Sequence, residues 1–346
     1  MVESSYISAN GIRQHLLVNG SGEDTILFVH GNGSDSVFWK SLMRKLSKKY
    51  RALAPDLRGF GKTEAIPCDA SRSFGCFVDD ITDLLDELAI EKYHFVGHSL
   101  GGGVGWELLI KDHARIKSLT MINPASPFGF GGSKDEKGTP TFEDGAGSGA
   151  GVINPDFVKL LQEKDKSMDN PSSPLNIMNN FYWDPPFVPE DIEELLDGLL
   201  KMQTGDKFYP GDSKPSENFP FSAPGKFGQI NAAAPLTKFD ILANLCSLKV
   251  KPPVLWLRGA KDKIVSDNSL FDTAVHGAAG HIKGWPGAEI CPPQPMIKQT
   301  RFALDAYKKS GGEYSELVLD NCAHSPYIED FTAFNALFIP WLEAHE

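Results

Sequence analysis

Apolar residues along this chain follow two alternating rhythms. Thr25–His30 (TILFVH) is a near-continuous apolar run that ends in Gly-Asn-Gly, the pattern of a buried strand feeding a tight turn. Ser36–Leu46 reads as a helix and Ala52–Pro55 as a second short strand. Phe77, Ile81, Leu84, Leu85 and Leu88 recur at helical spacing, which predicts an amphipathic helix with its acidic residues outward. Tyr93–Val96 predicts a third strand, Leu100–Ile110 a helix and Ser118–Ile122 a fourth strand. Strands alternating with helices at this pace mean βαβ units and a mostly parallel sheet, so the fold class is α/β.

After residue 126 the rhythm breaks. Phe128–Gly151 holds eight glycines and no periodicity, which is loop chemistry. Helical candidates punctuated by proline follow at Pro155–Asp165, Pro174–Phe181 and Pro189–Met202. Aromatic clusters lie among them: Phe181-Tyr182-Trp183, Phe208-Tyr209 and Phe219-Pro220-Phe221. Strand patterns return at Pro253–Leu257 (PVLWL) and Glu316–Leu319 (ELVL), and Phe331–Ala344 predicts a closing helix. Two segments therefore interrupt an α/β core, one at 127–250 and a smaller one at about 277–311 that includes a helical pattern over Met296–Lys309.

Composition narrows the picture. The chain has 346 residues, 41% of them hydrophobic and 23% charged, which is enough to bury a full core without staples. A formal charge of −11 argues against a nucleic-acid surface, which needs clustered Lys and Arg. The cysteines Cys68, Cys76, Cys246, Cys291 and Cys322 are scattered and form no C-x-x-C pair, so free thiols in a reducing compartment are expected. The N-terminus shows no basic stretch followed by an apolar one, and no apolar run approaches the roughly 18 residues of a membrane span. A soluble, cytoplasmic protein acting on a small molecule is the expectation.

The sharpest local signal is Gly97-His98-Ser99-Leu100-Gly101. On composition alone, G-x-S-x-G arises in a random chain of this length about one time in five. Position raises its value, because the motif follows the strand YHFV and opens the helix LGGGVGWELL. A serine on so sharp a strand-to-helix turn is strained, and the residues two before and two after it must be small. Gly97 and Gly101 meet that demand. The helix start also brings free N–H groups and a positive dipole end beside the hydroxyl.

A serine nucleophile needs a base, and the base needs an orienting carboxylate. The strand PVLWL runs into Arg258-Gly259-Ala260-Lys261-Asp262, and ELVL runs into Asp320-Asn321-Cys322-Ala323-His324. Asp262 and His324 thus follow the C-terminal ends of parallel strands, the edge where open α/β sheets place their sites. The chain order Ser99, Asp262, His324 is the order this architecture uses. Asp320 is the competing acid, closer in sequence to His324, but it ends the histidine's own strand and reads as a turn residue.

With these residues in view the chain resembles the α/β-hydrolase superfamily. The resemblance rests on His30-Gly31-Asn32-Gly33, Asp56-Leu57-Arg58-Gly59-Phe60-Gly61-Lys62-Thr63, the Ser99 elbow, and the pair Asp262 and His324. It implies an eight-stranded, mostly parallel sheet flanked by helices, formed by residues 1–126 and 251–346, with a helical cap at 127–250 inserted after the sixth strand. It also implies an oxyanion hole from the backbone N–H groups of Asn32 and Leu100. The implied chemistry is acyl transfer, in which His324 deprotonates Ser99, Asp262 orients the imidazole and the two N–H groups bind the oxyanion, each worth about 3–4 kcal/mol. No metal or organic cofactor is called for.

The substrate is less legible. Phe181, Tyr182, Trp183, Phe208 and Phe221 are candidates to line a pocket under the cap, or to form the cap's own small core. His30 is expected to brace the oxyanion loop, and Asp56 and Arg58 to fix theirs. A serine esterase or lactonase needs only the triad, the hole and a pocket; a C–C bond hydrolase acting on a diketone-like substrate uses the same parts. Dehalogenase and epoxide hydrolase relatives place Asp where this chain has Ser99, which disfavours both. A non-catalytic receptor on the same fold is the alternative from another class.

Overall fold

The computed structural model describes residues 1–238 and 240–346. Eight strands form one sheet: β1 (Glu3–Ala9), β2 (Ile12–Asn19), β3 (Asp24–Val29), β4 (Tyr50–Pro55), β5 (Tyr93–His98), β6 (Ile116–Ile122), β7 (Val254–Gly259) and β8 (Tyr314–Leu319). Their spatial order is β1-β2-β4-β3-β5-β6-β7-β8. β2 pairs antiparallel with β1 and with β4, and every later neighbour is parallel. The C-terminal ends of β3, β5, β6, β7 and β8 therefore share one edge of the sheet.

The near-continuous apolar runs are strands covered on both faces. Leu27 and Val29 of β3 join one apolar cluster, whereas Ile26 and Phe28 join the other. Val254 and Trp256 of β7 divide from Leu255 and Leu257 in the same way, as side chains alternating at period two must. The first cluster holds α2 (Gly75–Glu87) and α3 (Leu100–Asp112). The second holds Leu42 and Met43 of α1 (Lys40–Lys45) and Phe334, Phe338 and Leu342 of the C-terminal helix Phe331–Ala344.

Two expectations change, and one element goes unread in the sequence. The opening hairpin β1–β2 gives no alternation strong enough to read, although Asn10 and Gly11, with φ of 50° and 70°, form the two-residue turn that joins it. The segment 127–250 is not purely helical: it carries Pro155–Gln162, Pro174–Ile177 and Ile192–Leu199 as helices, but also two short two-stranded sheets. The helix Met296–Lys309 also leaves the second interruption. It buries Ala303, Leu304 and Tyr307 in the first cluster and is the crossover that a parallel β7–β8 pair requires. That interruption narrows to residues 277–295.

The segment 127–250 shares the main apolar cluster instead of having a core of its own: Phe157, Leu161, Met178, Trp183, Leu195 and Leu199 all join it. Its return to the sheet is pinned electrostatically. Lys238 is buried, with Nζ 2.8 Å from Glu107 Oε1 on α3, hydrogen-bonded to Ser73 Oγ, and 3.5 Å above the Phe74 ring. Burial pulls its ammonium below the ordinary lysine range, and the Glu107 carboxylate opposes that shift. Removing one partner of such a pair strands the other. Lys238→Ala should lower the unfolding free energy by about 2–4 kcal/mol in urea titrations. A loss below about 0.5 kcal/mol would place the pair with ordinary surface bridges.

Asp35 caps the short 3-10 helix Ser36–Trp39, its Oδ1 accepting the Val37 N–H at 3.0 Å. Burial, reinforced by the Asp56 carboxylate, pushes Asp35 up to about 6, with Lys201 opposing. The folded state therefore holds this proton more tightly than the unfolded chain. Stability from this group is highest below about pH 4 and is lost as pH rises through about 6. Asn at this position keeps the acceptor and does not ionise. Between pH 4 and pH 7 the wild type should lose up to about 3 kcal/mol relative to Asp35→Asn in parallel unfolding titrations. Superimposable profiles would refute the shift.

Candidate active site

The strand-to-helix turn after β5 holds Ser99 at φ 53° and ψ −116°, outside the regions ordinary side chains favour. Three backbone hydrogen bonds hold it there: Ser99 N–H to Ile122 O at 3.0 Å, Gly103 N–H to Ser99 O at 3.0 Å and Ala125 N–H to Ser99 O at 2.9 Å. The flanking glycines are required by space. A Cβ on Gly97 would lie 2.6 Å from Gly101 O, and one on Gly101 would lie 2.6 Å from His30 O. Ser99 itself remains partly exposed.

His324 follows β8, and its Nδ1 lies 2.8 Å from Asp262 Oδ2. The other carboxylate oxygen of Asp262 accepts the N–H groups of Ile264 at 2.8 Å and Val265 at 3.0 Å, so both oxygens are engaged in one fixed orientation. Both side chains are under 5% exposed. Asp320, by contrast, is exposed. His98, the residue before Ser99, packs its ring 4.7 Å from that of His324, so the elbow and the Asp262–His324 pair meet.

Above Ser99 lies the His30–Gly33 loop. A Cβ on Gly31 would stand 3.0 Å from Ser99 Cβ. Among the described residues, neither the Asn32 nor the Leu100 N–H is spent on a backbone carbonyl. Asn32 Oδ1 is also buried without a partner. His30 braces this loop: Nδ1 donates to Gly31 O at 2.8 Å and Nε2 accepts the Leu57 N–H at 3.0 Å, which assigns the neutral Nδ1–H tautomer. Burial lowers its basicity, against a raising effect of Asp56.

Asp56 ties the two glycine-containing loops together. It accepts from His15 Nδ1 at 2.7 Å, Ser36 N–H at 2.8 Å and Lys62 N–H at 2.8 Å. Burial alone would raise its affinity for a proton; the bond from His15 and the neighbouring histidines outweigh this and hold the carboxyl below its usual range. Arg58 turns away to a bidentate pair with Asp80 of α2, at 2.6 and 2.5 Å. Both are framework residues, as their motif predicts.

The aromatic candidates separate. Tyr182 reaches the site: its hydroxyl donates to Gly33 O at 3.0 Å, its ring centroid is 6.4 Å from that of His324, and its carbonyl accepts the Ser325 N–H at 2.8 Å. Trp183 is fully buried in the main apolar cluster, and Phe181 stacks edge-on against Phe271 at 5.0 Å. Phe208 lies against Gly59, beside the buried Gln229, whose Oε1 has no partner. Phe221 lies elsewhere. It is 54% exposed and packs on Phe219 and on Gly284 of the second interruption, where the small satellite cluster forms. Asn123 and Gln229 are buried polar residues that the sequence reading passes over, since a lone Asn-Pro and a lone Gln carry no spacing signal.

Comparison with known proteins agrees with this architecture. The chain is 38% identical over 123 residues to epoxide hydrolase 2 of Siraitia grosvenorii, a match covering 35% of this chain and 39% of that one. It is 36% identical over 122 residues to 2-hydroxymuconate semialdehyde hydrolase of a Pseudomonas species, covering 34% and 42%. The matches thus span about two fifths of either relative's length. A serine hydrolase from the polyaromatic hydrocarbon-degrading bacterium Cycloclasticus zankles shares the fold with a TM-score of 0.61 at 18% identity, over 99% of this chain and 98% of that one. The family model described as alpha/beta hydrolase fold matches residues 24–274, well over half the chain, and on that match and the eight-stranded sheet this chain belongs to the alpha/beta hydrolase family.

Proposed function

We propose that the chain is a serine hydrolase that cleaves a carboxylic ester or lactone of a small to medium, partly apolar substrate through an acyl-enzyme. The observation that carries this reading is the Asp262–His324 hydrogen bond of 2.8 Å beside a strained, partly exposed Ser99. His324 Nδ1 is committed to Asp262, which leaves Nε2 to take the serine proton. Ser99 Oγ then attacks the carbonyl carbon, and the uncommitted N–H groups of Asn32 and Leu100 bind the oxygen as its charge develops. His324 returns the proton to the leaving group, and water activated by the same ring releases the acid. Segment 127–250 acts as the cap over this centre, with Tyr182 as its nearest aromatic wall.

A second reading has one observation in its favour, the likeness to 2-hydroxymuconate semialdehyde hydrolase. Cleavage of a C–C bond next to a ketone would use the same residues and differ in the substrate carbon that departs. Epoxide opening fits less well despite the relative of that name, because by the family resemblance it calls for an Asp at the position of Ser99.

Purified protein should hydrolyse short p-nitrophenyl esters and be labelled at Ser99 by a fluorophosphonate. Ser99→Ala should abolish labelling and lower kcat by a factor of roughly 10³ or more. Asp262→Asn should cost roughly 10³–10⁴ in kcat, with Asp320→Asn within about twofold of wild type. Full activity in Ser99→Ala would sink the mechanism. A panel that also includes lactones and vinylogous diketones decides between the ester and C–C readings.

A further inference from the structure

Asn123, the residue after β6, is buried and adopts a left-handed φ of 39°. Its side-chain amide spans two loops. Oδ1 accepts the N–H of Gly259, the last residue of β7 and three positions before Asp262, at 3.0 Å. Nδ2 donates to Ala323 O at 3.0 Å and to His324 O at 2.6 Å. Its backbone N–H donates to Leu257 O at 3.0 Å, and the carbonyl of the preceding Ile122 accepts the Ser99 N–H at 3.0 Å. One residue is thus bonded to the loop of the acid and the loop of the base, and follows directly on the bond that seats the nucleophile.

The His324 carbonyl has a second donor. His98 Nε2 lies 2.8 Å from it, while His98 Nδ1 faces the Tyr327 hydroxyl at 3.4 Å. The imidazole of His98 is therefore the neutral Nε2–H tautomer, and burial keeps it neutral by lowering its basicity. With Asn123 and His98 both donating, the two lone pairs of the His324 carbonyl are satisfied and the peptide plane cannot rotate freely. An amide suits the place because it offers an acceptor to one loop and two donors to the other without a charge. A carboxylate would set a negative oxygen against two carbonyls, and an aliphatic side chain would leave the Gly259 N–H and the Ala323 carbonyl without partners and the His324 carbonyl with His98 alone.

We propose that Asn123 is a positioning residue that fixes the spacing between the Asp262 loop and the His324 loop, and so keeps the imidazole aligned on Ser99. It touches neither the proposed reacting atoms nor the substrate. The inference rests on the Ser99–Asp262–His324 reading for its effect on rate, but its structural content, the alignment of the imidazole on Asp262, is measurable without any substrate. Misplacing a catalytic group by about 1 Å is enough to cost on the order of 100-fold in rate.

Two variants test it. Asn123→Gly accepts the left-handed backbone and removes the amide; Asn123→Ser keeps a small polar group too short to bridge the loops. The first readout is the low-field proton NMR signal of His324 Nδ1–H, assigned by its loss in Asp262→Asn. The second is kcat and KM on a p-nitrophenyl ester, with thermal unfolding followed in parallel. In both variants, assayed well below their unfolding midpoints, the low-field signal should shift or broaden away. kcat should fall about 10- to 100-fold with KM within about threefold. A residue that only stabilised the fold would lower the midpoint and leave signal and kcat as they are. That result in either folded variant, with kcat within about twofold of wild type, overturns the proposal, and Asn123→Ser decides the case if the glycine variant does not fold. An inert, unlabelled wild type would defeat the esterase reading alone, and the NMR comparison would still judge Asn123.

Discussion

At Gly101 the first turn of α3 runs so close to β3 that a single added carbon would lie 2.6 Å from the His30 carbonyl. This approach of helix to sheet is the constraint on which the remaining geometry depends. It bends the chain hard enough to force Ser99 to φ 53°, a conformation that costs on the order of 1–3 kcal/mol and persists only because neighbours hold it. It brings the helix start beside the His30–Gly33 loop, where a Cβ on Gly31 would stand 3.0 Å from Ser99 Cβ. Glycines at 97 and 101 are what permit the approach. Larger residues at those sites would push α3 off the sheet and relax the serine into an ordinary turn.

The sheet then supplies the convergence. Parallel pairing of β3, β5, β6, β7 and β8 sends each following loop out of the same edge, so residues distant in sequence meet without a dedicated fold of their own. What surrounds them is a set of neutral histidines in fixed tautomers. His30 and His98 are both buried, both lowered in basicity, and each uses one nitrogen as donor to a backbone carbonyl. A protonated imidazole at either position would put a buried charge beside the site and lose one of its acceptor contacts. Burial thus serves orientation here: the rings work as rigid struts with a donor at one end.

Sequence made the core legible because its signals are periodic or motif-bound. The strand at 24–29, the helices at 75–87, 100–112 and 331–344, and the order of Ser99, Asp262 and His324 all follow from apolar spacing and post-strand position. The hairpin β1–β2 was opaque because an outer strand such as ESSYISA buries only part of one face, leaving no apolar run. The helix Met296–Lys309 was visible as a helix, but its membership of the core depends on the parallel pairing of β7 with β8, a non-local fact. Phe221 and Tyr182 illustrate the limit at the site. Both are aromatic residues in proline-rich surroundings, and only tertiary packing sends one to the His30–Gly33 loop and the other to the surface. Asn123 is the sharpest case, because an amide that bridges two loops is invisible until those loops are adjacent.

Tyr182 joins parts of the molecule that the chain order keeps apart. Through its hydroxyl it holds Gly33, and through its carbonyl it holds Ser325, one residue beyond His324. The polypeptide between β6 and β7 is therefore a cross-brace in the frame. Exchange of this segment with that of a relative would remove two hydrogen bonds from the loops that carry Gly33 and Ser325. The segment is not a modular part, because the loops on either side of it share its hydrogen bonds.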